Sequence, residues 1–130
     1  MIRQLSGPGL MALHASYVDT APAASAASHA NANAHAPTPM LLLDVREPWE
    51  FALAAIRLPG LRTLNIPMNE IPTRQGELDA QQAIVCICHH GVRSAHVVEF
   101  LERQGLADVF NLDGGIDAWS EEVDASVPRY

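Results

Sequence analysis

Ile84-Val85-Cys86-Ile87 is an unbroken apolar run rich in β-branched residues, the pattern of a strand covered on both faces. Met40 to Val45 repeats the pattern. Val109-Phe110-Asn111-Leu112 and Leu64-Asn65-Ile66, the latter closed by Pro67, read as two further strands. Ile2 to Leu5 reads as an edge strand, followed by a turn at Gly7-Pro8-Gly9 and a short apolar helix around Leu10 to Leu13. Between the strands the period changes. Ala95 to Gln104 carries helical spacing, with Ser94 as the expected N-cap and Gly105 as the stop. Glu47 and Pro48 open another helix, because proline is tolerated in a first turn and glutamate favours its positive end. Trp49, Leu53 and Ile56 are expected on its buried face. Asn69 to Leu78 is a helical stretch broken by Pro72 and Gly76. Gly114-Gly115 makes a backbone turn that side chains would block, and Ile116 to Trp119 starts a short helix with its tryptophan in the core. Strands alternating with helices predict an α/β fold: a three-layer domain with a central, mostly parallel sheet and helices on both faces.

Two stretches stand outside this rhythm. Thr20 to Pro39 consists almost wholly of alanine, serine, asparagine, histidine and proline, with no large apolar side chain to bury. It is expected to be a mobile insertion, at 20–39, within a single domain covering 1–130. The rival reading, a signal peptide, draws on Arg3, an apolar patch and Ala-Ser-Ala runs, but the patch is short and broken by Gly9 and His14. Ser120 to Tyr130 lacks periodicity and is expected to lie along the surface.

Composition narrows the function classes. The 130 residues suffice for one domain with its own core. A formal net charge of −7 argues against nucleic acid or an anionic membrane surface as partner. All eight basic residues are arginine. No apolar run approaches the length of a membrane span. The two cysteines, Cys86 and Cys88, lie too close along one strand for an ordinary disulfide, which fits a reducing, cytoplasmic compartment.

The chemistry concentrates at Cys88-His89-His90-Gly91-Val92-Arg93-Ser94. A loop that leaves a strand and enters a helix aims several N–H groups at one point, with the positive end of the helix dipole behind them. An anion is favoured there, and a cysteine at the strand's end is favoured as thiolate. In parallel sheets ligands bind at the carboxyl ends of strands, where Cys88 stands. Cys88 is therefore the candidate nucleophile. Cys86, two residues earlier on the same face, reads as a buried core residue, with a resolving thiol as the alternative. His89 and His90 either tune the sulfur and contact substrate or merely line the rim. Gly91 supplies backbone freedom. Arg93 either forks onto an anionic substrate, the favoured reading, or pairs with an acidic residue. Asp44 and Arg46 read as a supporting ion pair. Neither a metal nor a cofactor is implied, because adjacent histidines on a tight loop diverge and the spacing is not that of zinc ligands.

The loop Cys88 to Ser94 resembles the active-site loop of rhodanese-family sulfurtransferases. Leu42-Leu43-Asp44-Val45-Arg46-Glu47-Pro48-Trp49-Glu50-Phe51 resembles that family's LLDVRxxxEF segment, and Asn111-Leu112-Asp113-Gly114-Gly115-Ile116-Asp117-Ala118-Trp119 its LxGGxxAW segment. The three occur in the family's order and spacing over most of residues 40–120. The family often carries a histidine where Ala55 stands here, so that position is not expected to carry chemistry. The resemblance implies a rhodanese-like fold and transfer of sulfane sulfur from a small anionic donor such as thiosulfate to a thiol, cyanide or protein acceptor, through a Cys88 persulfide. His89, His90, Gly91, Val92 and Arg93 would form the substrate-binding loop, with Asp44, Arg46 and Ser94 in support. Two other classes stay open. Related cysteine phosphatases and arsenate reductases have five residues between cysteine and arginine, whereas four stand between Cys88 and Arg93. Non-catalytic rhodanese-like modules commonly lose the cysteine retained here.

Overall fold

In the computed structural model, which describes residues 2–20 and 40–130 (only the backbone of 17–20), the apolar runs become five strands. They are β1 (Arg3–Leu5), β2 (Leu41–Asp44), β3 (Arg62–Asn65), β4 (Ile84–Ile87) and β5 (Val109–Leu112). They form one sheet in the order β1–β5–β4–β2–β3, and every neighbouring pair is parallel. The helices are α1 (Gly7–Thr20), α2 (Pro48–Leu53), α3 (Ile71–Arg74), α4 (Val92–Arg103) and α5 (Gly115–Glu122). Single 3-10 turns at Met68–Glu70 and Gln75–Glu77 flank α3, so the stretch with Pro72 and Gly76 is broken as its sequence suggests.

Alternation along the central strands divides the core into two layers. Leu41, Leu43, Ile84 and Cys86 pack with Val97, Val98 and Leu101 of α4 and with Ile71. Leu42, Val85 and Ile87 pack on the other face against Leu10 of α1 and Ile116 and Trp119 of α5. Fully burying one such leucine or isoleucine contributes about 1.5–3 kcal/mol, so this two-sided burial fixes the register of β2 and β4. The carboxyl ends of these strands are thereby held at one edge, where the loop after β4 begins.

Five local expectations are corrected. Gly7-Pro8-Gly9 is the first turn of α1 and not a separate turn, because Ser6 Oγ accepts the Gly9 N–H at 2.9 Å and caps the helix. α1 therefore runs to Thr20, well past Leu13. Ser94 is not the N-cap of α4. Gly91 is, at φ 98°, and Ser94 lies inside the first turn, buried. Trp49 and Leu53 are exposed, and Ile56 is buried only beyond the end of α2. The buried residue of α2 is Glu50, which closes a capping box with Glu47 and faces Arg93 of the loop after β4. Finally, the stretch after Ser120 does not simply follow the surface. Ser120 and Val127 are buried and joined by a 2.6 Å hydrogen bond, and Tyr130 returns to the functional edge. The expected insertion at 20–39 lies outside the described residues from 21 onward.

Candidate active site

Cys88 is the first residue beyond β4 and is 1% exposed. Gly91 donates its N–H to Cys88 Sγ at 3.0 Å, closing a tight loop over the sulfur. The φ of 98° at Gly91 makes this turn possible and is one that a side chain rarely tolerates. Ser94 Oγ lies 3.3 Å from the same sulfur. Its hydroxyl hydrogen has a second acceptor, Asn111 Oδ1, at 2.5 Å. The Asn111 amide group is oriented by donating to Gly91 O (3.1 Å) and Gln4 Oε1 (3.0 Å). One buried side chain on β5 thus fixes both groups that touch the sulfur. Cys86 is wholly buried, and that burial pushes its thiol pKa up, so it stays protonated as a core residue.

The underside of the loop is held by α5. Ile116 N–H donates to Cys88 O at 2.9 Å and Asp117 N–H to His89 O at 3.0 Å. Tying these carbonyls down on one side leaves the Gly91 N–H free to turn toward the sulfur. The approach requires Gly115, at φ 64°, because a Cβ there would sit 2.4 Å from His89 O and 2.5 Å from Cys88 O.

The charged residues form a chain around the loop. Arg93 forks onto Glu50, with Nη1–Oε2 at 2.7 Å and Nη2–Oε1 at 2.9 Å. This pairing is the alternative that the sequence left open for Arg93: its guanidinium pins the loop to α2. The Arg93 fork holds the Glu50 carboxyl down to about 2. Asp44 and Arg46 are wholly buried and paired as expected, with Nη2–Oδ2 at 2.6 Å and Nε–Oδ1 at 2.9 Å. Tyr130 Oη accepts from Arg46 Nη1 at 2.7 Å and donates to Glu50 Oε1 at 2.8 Å, joining the two pairs. The Tyr130 ring lies flat on His89, centroids 4.0 Å apart, and edge-on to Trp49. His89 stacks on His90 in turn. Burial, and then His90, lower the His89 pKa. Its Nε2 is the one buried side-chain polar atom without a partner among the described residues. His90 and Val92 are exposed on the rim. Among the described residues no three His, Cys, Asp or Glu side chains are grouped to hold a metal ion, and no helix is long and apolar enough to cross a membrane.

Sequence reasoning missed Glu50, Asn111 and Tyr130. Two of them carried a signal. Glu50 stands at the third position of a helix opened by Glu47, and Asn111 is a polar residue inside an otherwise apolar strand. Tyr130 carried none, because its partners lie at least forty residues away in sequence.

The model of the rhodanese-like domain matches residues 24–122. The chain belongs to that family. A sulfurtransferase of Allochromatium vinosum is 40% identical over 81 residues, which cover 62% of this chain and 72% of the relative. A chloroplastic rhodanese-like/PpiC domain-containing protein of Arabidopsis thaliana is 37% identical over 93 residues, and there the match spans only 30% of the relative. Among solved structures, a rhodanese-related protein from Thermoplasma volcanium superposes with a TM-score of 0.66 at 30% identity, covering 93% of both chains. The rhodanese-like fold expected from the three motifs is therefore the fold of this chain.

Proposed function

We propose that this rhodanese-like domain transfers sulfane sulfur through a persulfide on Cys88. The observation that carries the reading is the Cys88 cradle: a cysteine at the carboxyl end of the central strand, its sulfur receiving the Gly91 N–H at 3.0 Å, in the loop that enters α4. In the first half-reaction the Cys88 thiolate attacks the outer sulfur of a donor such as thiosulfate. The donor's S–S bond breaks and its electron pair leaves on sulfite. The persulfide's outer sulfur keeps the negative charge and is stabilised by the loop's N–H groups and the amino end of α4. In the second half-reaction a thiol, cyanide or a protein thiolate takes that sulfur and restores Cys88, giving ping-pong kinetics.

The kinship with proteins named sulfurtransferases supports this reading. So does cradle size: four residues between Cys88 and Arg93 suit a single sulfur atom, where a tetrahedral phosphate needs more room for its oxygens. The use of a free thiol suits a reducing compartment. The test is to assay sulfur transfer to cyanide beside aryl phosphate hydrolysis. Turnover with thiosulfate and negligible phosphate release are expected. Robust phosphate release with no sulfur transfer would overturn the reading.

A further inference from the structure

Asn111 is the polar residue of β5, and it is 3% exposed. An amide at such a place is stable only when its groups are satisfied. Both hydrogens of Nδ2 are used, one on the Gly91 carbonyl at 3.1 Å and one on Gln4 Oε1 at 3.0 Å. Gln4 is held opposite Asn111 by the pairing of β1 with β5. Turned over, the amide would set its oxygen against the Gly91 carbonyl, so Oδ1 is fixed toward Ser94 of α4.

Ser94 has one hydroxyl hydrogen and faces two acceptors. Its Oγ lies 2.5 Å from Asn111 Oδ1 and 3.3 Å from Cys88 Sγ, and all three residues are buried. The hydroxyl rotates to suit its surroundings but serves one acceptor at a time. The charge on Sγ decides which. A thiolate is the strong acceptor, because a hydrogen bond to it is charge-assisted. A neutral sulfur bonded on both sides is a weak one. Sulfur transfer converts the first into the second. When the Cys88 thiolate bonds to the outer sulfur of thiosulfate, the S–S bond of the donor breaks and its electron pair leaves on sulfite. The negative charge then sits on the transferred sulfur, and Sγ becomes the neutral bridging atom of the persulfide. From that moment Asn111 Oδ1 is the strong acceptor within reach of Ser94. Without it the hydroxyl hydrogen would be buried and poorly paired in the persulfide alone, which would cost that form roughly tenfold in its equilibrium with the thiolate.

We propose that Asn111 is a positioning residue for sulfur transfer: it takes over the Ser94 hydrogen as charge leaves Sγ, so that one hydroxyl serves both the thiolate and the persulfide. The inference rests on the Cys88 reading and adds a residue of β5 to it. The experiment measures an equilibrium, which a merely structural loss of rate does not move. Protein is brought to equilibrium with thiosulfate and sulfite at a fixed ratio, and the persulfide and free forms are counted by mass spectrometry. An organic persulfide and its thiol, used as a second couple, should give the same shifts between variants, because the donor cancels from the comparison. Asn111→Leu removes the acceptor at similar volume and is expected to lower the constant about tenfold. Asn111→Asp also lacks the hydrogens for Gly91 and Gln4 but keeps the acceptor, and is expected to hold the constant at or above the wild-type value. In a Ser94→Ala background Asn111→Leu should no longer lower it, since no hydroxyl hydrogen remains to be placed. An unchanged constant in Asn111→Leu, an equal fall in Asn111→Asp, or the same fall without the Ser94 hydroxyl overturns the inference and leaves the Cys88 reading standing. Should Asn111→Leu fail to fold, Asn111→Asp decides: a constant below wild type overturns the role of Oδ1, and one at or above it supports that role. No sulfur on wild-type Cys88 from either couple overturns both.

Discussion

Cys88 and Cys86 lie two positions apart on one face, yet their surroundings differ. The Cys88 sulfur has the Gly91 N–H and the Ser94 hydroxyl, whereas burial alone acts on Cys86 and keeps it a thiol. Cys88→Ser is therefore expected to abolish sulfur transfer in a folded protein, and Cys86→Ser to retain most of it. Comparable losses in both, measured in the cyanide assay, would point instead to a two-thiol cycle. Asp44 answers a different question. It is the carboxylate partner of Arg46, and both are wholly buried. Asp44→Ala leaves a buried cation without its counter-charge, so a loss of about 3–5 kcal/mol is expected in urea unfolding. A loss below about 1 kcal/mol would mean that Tyr130 and the backbone carbonyls around Arg46 suffice to hold it. At this scale the place of Cys88 at the loop after β4 and this ion pair were legible in the sequence, since each announces itself through local context. The role of Arg93 was not. A guanidinium suits a carboxylate and an anionic substrate equally, and only the fold brings Glu50 to it.

The cradle is a joint product of three elements: β4 delivers Cys88, α4 begins at Gly91, and α5 clamps the loop's carbonyls from below. The clamp depends on the missing side chain at Gly115. Gly115→Ala is expected to push the loop off α5 and cut the sulfur-transfer rate on the order of a hundredfold, the cost of misplacing a well-aimed donor. An unchanged rate would show that the loop can shift without losing its aim. The sequence announced the turn at Gly114-Gly115 because paired glycines mark backbone that side chains would block. It could not announce what the turn approaches. It also misplaced the start of α4, because a serine three residues into a helix and a serine at its cap look alike in sequence. Ser94 is used for its hydroxyl beside the sulfur and not for capping. For α2 the apolar residues suggested a buried face, but a six-residue helix at the sheet's edge turns its acid inward to meet Arg93 and leaves Trp49 outside.

Across the whole molecule, Tyr130 joins the segment after α5 to Arg46 beyond β2, to α2 and to the loop after β4. The strands and their order of elements were readable from hydrophobic period, since two-sided burial leaves a strong signature. This closure was not, because it rests on single long-range contacts. Tyr130→Phe removes two hydrogen bonds to charged partners and is expected to cost about 1.5–3 kcal/mol, while keeping the stack on His89. Tyr130→Ala should lose more stability and also sulfur-transfer rate, as the loop loses that support. Equal stability in wild type and Tyr130→Ala would show that the segment does not brace the fold. The same network sets a pH dependence. Glu50 is held from 4.5 down to about 2, so its pairing with Arg93 stabilises the protein fully above the unfolded value and loses that contribution as pH falls toward the folded one. The stability gap between wild type and Glu50→Gln should therefore be full at about pH 6 and close between about pH 4.5 and 2, in urea titrations. A gap that does not change over that range would contradict the pairing. The most direct measurement, however, is the mass of the protein after incubation with a sulfane sulfur donor. The Cys86→Ser variant, whose only cysteine is Cys88, is expected to gain one sulfur atom and to lose it again on addition of cyanide. An unchanged mass with every donor, in a folded protein whose Cys88 still reacts with iodoacetamide, would contradict persulfide chemistry at this site.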